Sequence, residues 1–229
     1  MDKRRVVVTG LGCITPVGNS VDEFWSSLML GKSGVSDITV FDAENMAVKF
    51  SASIKDFDAE KYFDLKEQRK LDLFMQYGMA AGIDAVNDSM LNDADLDTER
   101  VGIAIGSGIG GLPSIETTHN TYLKSGPRRI SPFFIPATII NMISGNLSIK
   151  YGYKGPNLSI VTACTTGTHN IGEGFRQIQY SHADVMICGG AEMATTPLGI
   201  GGFAAARALS TRNDDPQKAS RPWDTGRDG

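Results

Sequence analysis

Hydrophobic positions along the chain follow two periodicities. At residues 5–9, 101–105, 158–162 and 184–188, apolar and β-branched residues run without polar alternation, and each run gives way to glycine or another small residue. Short apolar runs bounded by turn residues predict buried strands. Between them the apolar residues return every three or four positions. Residues 21–30 form one such stretch, with Asn19 or Ser20 as N-cap and Gly31 as the stop. Residues 66–89 place Leu71, Phe74, Met75, Met79, Ala80, Ile83 and Val86 at helical spacing, and residues 165–180 do the same with Ile171, Phe175 and Ile178. Strands without polar alternation, separated by helices, predict a mostly parallel sheet covered on both faces, a layered α/β protein. No repeat, low-complexity tract or long linker divides the sequence, so residues 1–229 are expected as a single domain. Residues 209–229 are polar and turn-rich, with Pro216, Pro222, Gly226 and Gly229, and predict a fold interrupted before its closing element.

Composition narrows the class. The 22 basic and 26 acidic side chains leave a formal charge of −4, and 41% of residues are hydrophobic, ordinary for a soluble globular protein. Weak acidity argues against general nucleic-acid binding. No run reaches the roughly 18 apolar residues that a membrane span needs, and the apolar stretch at residues 6–8 is too short for a secretory signal. A cytoplasmic location is expected. Three cysteines at irregular spacing exclude a disulfide framework or a four-cysteine zinc site, and no motif asks for a metal or an organic cofactor.

Cys164, in Thr162-Ala163-Cys164-Thr165-Thr166-Gly167, falls where a predicted strand ends and a helix begins. A thiol there faces unpaired backbone N–H groups and the positive end of the helix dipole, both of which favour thiolate. The same N–H groups are suited to an oxyanion. Local context leaves two readings open, an activated nucleophile or a structural thiol. Cys13 and Cys188 read as structural. His169, five residues after Cys164, is carried round the helix away from the thiol and makes a poor general base; His119 and His182 read as surface or loop residues. Gly106-Ser107-Gly108-Ile109-Gly110-Gly111 formally matches a dinucleotide fingerprint. No second strand ending in an acidic residue follows it, so close backbone packing, or a pocket wall at Ile109, is the better reading. Lys66, Arg69 and Lys70 share one predicted helical face, Arg128 and Arg129 form a second pair, and Arg207 stands alone. Such spots on an acidic protein are either solvated faces or docking points for an acidic partner.

Taken in order, Val6-Val7-Val8-Thr9-Gly10-Leu11-Gly12, Thr15-Pro16-Val17-Gly18, the glycine-rich run at 106–111, the Cys164 motif and Ser220-Arg221-Pro222-Trp223-Asp224 closely resemble the β-ketoacyl-[acyl-carrier-protein] synthases of the thiolase superfamily. The runs at 130–136 and 205–213 look most like the elongating synthase II branch of bacterial type II fatty acid synthesis. The resemblance implies a thiolase-like layered α/β fold, here its N-terminal half, ending before the last strand of that half. It implies acyl transfer from acyl carrier protein to Cys164, followed by decarboxylative Claisen condensation with malonyl-carrier protein. It also implies that Ile109, Leu112, Phe134, Ala194 and Phe203 wall an acyl pocket, with Phe134 reaching into a partner's pocket in a homodimer. Lys66, Arg69, Lys70, Arg128, Arg129 and Arg207 match carrier-protein-binding positions. In the family a second half carries two histidines, a lysine and the other oxyanion N–H, so these residues alone are not expected to condense. A non-catalytic chain-length or carrier-docking relative is the alternative; such relatives lack the cysteine.

Overall fold

In a computed structural model, which describes residues 3–229, the chain begins with helix α1 (Val21–Met29) and a two-residue hairpin ladder, β1 (Ser36–Asp37) with β2 (Phe50–Ser51). Helices α2 (Leu65–Gln68) and α3 (Leu73–Asp88) lead to strand β3 (Val101–Gly106). Then come α4 (Leu112–Ser125), α5 (Phe134–Thr138), α6 (Met142–Tyr151) and β4 (Asn157–Leu158). Helix α7 (Thr166–Gln179), strand β5 (Val185–Gly190) and helix α8 (Pro197–Ala205) follow. The chain divides into two compact units: the larger runs to Cys13 and again over Asp58–Met193, and the smaller joins Ile14–Phe57 to Ala194–Gly229.

In the larger unit, β3 is the centre of a three-stranded parallel sheet of order β4-β3-β5. Its six residues are all buried and pair with β5 from Val101↔Val185 to Gly106↔Gly190. Full burial is what its unbroken apolar run demanded. Helices α3 and α6 cover one side through small residues: a methyl on Gly78 would sit 2.7 Å from Ile143, and one on Gly82 the same distance from Leu147. Helix α7 covers β3 and β5 from elsewhere in the unit. Its buried positions are Thr166, Asn170 and Gly174, not the apolar stripe. Gly167 lies against Gly190, and Gly174 makes room for Cys188, whose half-buried thiol is pushed up to about 12 by desolvation. Ile171 and Phe175 are exposed.

Several expected elements change. Residues 5–9 form no strand; Val7 and Val8 stand 59% and 79% exposed. β-Propensity marks the run as strand-like, but a strand needs a ladder partner, and no described residue is hydrogen-bonded to it as one. The segment is tied instead at its ends, by Arg4 to Asp184 and by the Leu11 N–H to Asp88, and with β5, α3 and α7 it borders an apolar groove of about 300 Å³. The expected helix 66–89 is two helices. Asp64 caps α2 in a reciprocal capping box with Glu67, and Asp72 caps α3, so the chain turns between them. The expected strand 158–162 keeps only its first residue within β4. At Leu158 the ladder gives way to side chains: Ser144 Oγ accepts from Ile105 N and has the Ile105 and Leu158 carbonyl oxygens within reach of its single proton. The Asn170 amide takes both backbone groups of Ile160.

In the smaller unit Ser20 caps α1 by accepting from Glu23 N, and Gly31, at φ +62°, follows its end. Thr196 caps α8 by accepting from Gly199 N.

Candidate active site

The three parallel strands deliver the site from their carboxyl ends, where open α/β sheets gather function. From β4 the chain enters residues 159–162 and then a single 3₁₀ turn, Ala163–Thr165, ahead of α7. Ala163 adopts φ +53°, a left-handed conformation rarely taken by a residue with a Cβ, and Cys164 stands exposed immediately after it. Such a strained residue persists only where its neighbours hold it. Three side chains from the start of α7 do so. Thr166 Oγ1 accepts from Thr162 N at 2.9 Å, His169 Nδ1 pairs with Thr162 Oγ1 at 2.7 Å, and the buried Asn170 exchanges two 3.0 Å hydrogen bonds with Ile160 while donating to Thr166 O. His169 is thus engaged with Thr162.

From β3 comes the glycine-rich loop. It serves close packing: a methyl on Gly106 would press on Thr166 and Asn170, and the Cβ position of Gly108 lies 3.3 Å from Ala163 Cα. Gly110, at φ +83°, and Gly111 turn the chain against Thr138, with Gly111 N donating to Thr138 O. Ile109 projects from this loop and is partly exposed. From β5 comes Glu192, whose carboxylate accepts from Ser107 Oγ, Gly108 N and Ile109 N. Glu192, Ser107 and Asn170 escaped the reading of the sequence. The available signal was Gly189-Gly190-Ala191-Glu192, a charge set directly beyond an apolar strand.

The expected pocket residues fall into both units. In the larger, Leu112 opens α4 and Phe134 opens α5, each half-buried. In the smaller, Ala194 is half-buried before α8, and Phe203 lies exposed on it. Phe134 borders a cavity of about 280 Å³ together with Arg69, Asp72, Ser114, Thr117 and Phe133. One expected carrier-contacting residue and one expected pocket wall therefore share a cleft. Lys70 Nζ lies 5.2 Å above the Phe133 ring centroid, a cation–π contact. Lys66, Arg69 and Lys70 do not share one helical face as expected, because α2 ends at Gln68 and Arg69 is its C-cap. Arg128 and Arg129 are exposed on the 3₁₀ turn Pro127–Arg129. Arg207, in the smaller unit, is exposed at φ +55°. None of these six basic groups is ion-paired among the described residues. No group of three or more His, Cys, Asp or Glu among the described residues is placed to hold a metal ion, and no helix there is long and apolar enough to cross a membrane.

Comparison with known proteins places the chain in a family. The family model for the N-terminal domain of β-ketoacyl synthases matches residues 3–229. A 3-oxoacyl-[acyl-carrier-protein] synthase 2 of Vibrio harveyi is 58% identical over the whole chain, and one of Coxiella burnetii is 60% identical; the chain covers 55% of each. It thus spans about half the length of these curated relatives. Among solved structures, a β-ketoacyl synthase from Burkholderia phymatum aligns over 100% of this chain and 56% of its own, with TM-score 0.86 and 26% identity. A type II PKS acyl-carrier protein in complex with its ketosynthase, bound to the hexaketide, aligns over 91% of this chain and 57% of that one, with TM-score 0.77 and 30% identity. The fold is therefore the N-terminal half of the thiolase-like layered α/β architecture expected from the motifs.

Proposed function

Because this chain belongs to the β-ketoacyl synthase family, we propose that it carries the acyl-accepting half of an elongating 3-oxoacyl-[acyl-carrier-protein] synthase of type II fatty acid synthesis. The observation that carries the reading is the exposed Cys164 on the left-handed turn after β4, braced by Thr166, His169 and Asn170. Its thiolate attacks the carbonyl of an acyl thioester on acyl carrier protein. A new C–S bond forms, the oxyanion collapses, and the pantetheine thiolate leaves and takes up a proton. The Cys164 N–H supplies half of the oxyanion site. A malonyl thioester then loses its carboxylate as carbon dioxide, and the electron pair left on carbon attacks the Cys164 thioester. Cys164 departs as thiolate, and the product is two carbons longer.

Ile109, Leu112, Phe134, Ala194 and Phe203 wall the acyl chain in this reading. Lys66, Arg69, Lys70, Arg128, Arg129 and Arg207, in no ion pair among the described residues, receive the carrier protein, since an acidic partner is steered by exposed basic groups. A homodimer in the cytoplasm, acting on carrier-bound thioesters, completes the proposal; the enolate-stabilising histidines belong to the second half of such proteins. The test is intact-mass detection of acyl loading from acyl-carrier protein in the protein carrying this chain. Loading is expected at Cys164 and lost in Cys164→Ala; a Cys164→Ala protein that still loads and elongates would overturn the reading.

A further inference from the structure

Glu192 follows β5 by two residues, and its carboxylate is turned onto the glycine-rich loop. Oε2 accepts from Gly108 N at 2.9 Å and from Ile109 N at 3.0 Å, while Oε1 accepts from Ser107 Oγ at 2.9 Å. The buried Ser107 hydroxyl in turn accepts from Gly110 N at 3.1 Å. Every residue from Ser107 to Gly110 is therefore held by one carboxylate or by the hydroxyl bonded to it. Glu192 is in no ion pair among the described residues, so these donors are what its charge is directed to.

Geometry makes this a clamp on the cysteine turn. The Cβ position of Gly108 lies 2.8 Å from Glu192 Oε2 and 3.3 Å from Ala163 Cα, so Gly108 packs at once against the carboxylate and against the residue preceding Cys164. A glycine-rich backbone has unusual freedom and holds one position only if something fixes it; charge-assisted hydrogen bonds are the strong means of doing so. Of the two residues whose backbone N–H the carboxylate fixes, Ile109 carries the side chain, a partly exposed apolar one. We propose that Glu192 is a positioning residue that locks Ser107–Ile109 against the Cys164 turn and sets where Ile109 meets the acyl chain, making it a determinant of acyl-length preference. This rests on the acyl-transfer reading of Cys164.

The test uses Glu192→Ala, Glu192→Gln and Ser107→Ala in the protein carrying this chain. The carbonyl oxygen of glutamine keeps both loop N–H bonds and its NH₂ reaches Ser107 Oγ, whereas alanine keeps nothing. Three quantities are read: hydrogen exchange at the Gly108 and Ile109 amides, Cys164 alkylation by iodoacetamide, and Cys164 loading from short-chain and long-chain acyl-carrier protein. In Glu192→Ala, exchange is expected to rise and the long-to-short loading ratio to fall, each about tenfold, the change that losing a charge-assisted hydrogen bond implies. Alkylation is expected to persist, Ser107→Ala to lie between alanine and wild type at position 192, and Glu192→Gln to recover most of both effects. Unchanged exchange in Glu192→Ala overturns the clamp. Faster exchange with an unchanged loading ratio overturns the specificity role, and a glutamine variant as impaired as alanine overturns the claim that the hydrogen bonds to the loop, which glutamine keeps, are what position it. Loss of alkylation together with all loading reduces Glu192 to a structural residue. A wild-type protein that loads no acyl group overturns the acyl-transfer reading and the specificity claim with it, while exchange still decides the clamp.

Discussion

Asn170 shows how one side chain can replace a strand. Its amide offers an acceptor and a donor to the two backbone groups of Ile160, as a neighbouring strand would, and frees the chain to leave the sheet and rise into the Cys164 turn. Replacing it with alanine leaves Ile160 N–H and C=O unpaired beside a buried void. Asn170→Ala is expected to lower unfolding stability by about 3 kcal/mol and to slow Cys164 alkylation, as judged by urea titration and thiol labelling; a change within about 0.5 kcal/mol, the range of an ordinary surface substitution, would refute the bracing role. At this scale the sequence was legible where chemistry is rare and illegible where it is common. A cysteine between a strand and a helix announces itself, as Cys164 does. An asparagine mid-helix or a glutamate after a strand does not, because Asn170 and Glu192 acquire meaning only from backbone groups that lie ten and more than eighty residues away.

Elements were legible when their own residues decided them. Residues 101–105 read as a buried strand because burial on both faces requires an unbroken apolar run, and β3 covers them all. The start of α1 could be read to within one residue, Asn19 or Ser20, and Ser20 is the cap, since a cap acts within its own turn. The run at residues 5–9 was misread because pairing belongs to two segments and propensity to one. Only its leading end is tied by an ion pair: Asp184 receives Arg4 through one guanidinium nitrogen and Arg100 through two. The Arg100 hydrogen bond, then that of Arg4, holds the Asp184 carboxyl far below its ordinary value of about 3.9. A depressed carboxyl contributes its stabilisation in full above the unfolded value and loses it as pH falls through the folded one. Asp184→Asn is therefore expected to be less stable than wild type at neutral pH and to converge with it in strong acid. The pair is partly exposed, so added salt should narrow the neutral-pH gap. Urea midpoints across that pH range check this, and a deficit that stays constant down to strong acid would sink it.

At the scale of the whole molecule, the periodicity of α7 takes on a different meaning. Ile171, Phe175 and Ile178 do recur at helical spacing, yet the sheet receives Thr166, Asn170 and Gly174, because only small residues let α7 approach β5 closely enough for Gly167 to meet Gly190. The apolar stripe is left bordering the groove beside Val7 and Val8. In the smaller unit Trp25, Met29 and the 98% exposed Trp223 are likewise uncovered. Apolar surface gathered in patches, unlike scattered exposed residues, drives association in water. The 229-residue chain produced by itself is therefore expected to self-associate with rising concentration, as followed by sedimentation velocity. Val8→Lys with Phe175→Glu should weaken that association by placing charges at the groove. If the unsubstituted chain stays monomeric across the concentration series, the groove is not an associating surface. If it associates equally with both charges in place, another face is responsible, and the uncovered tryptophans of the smaller unit become the next substitutions to make.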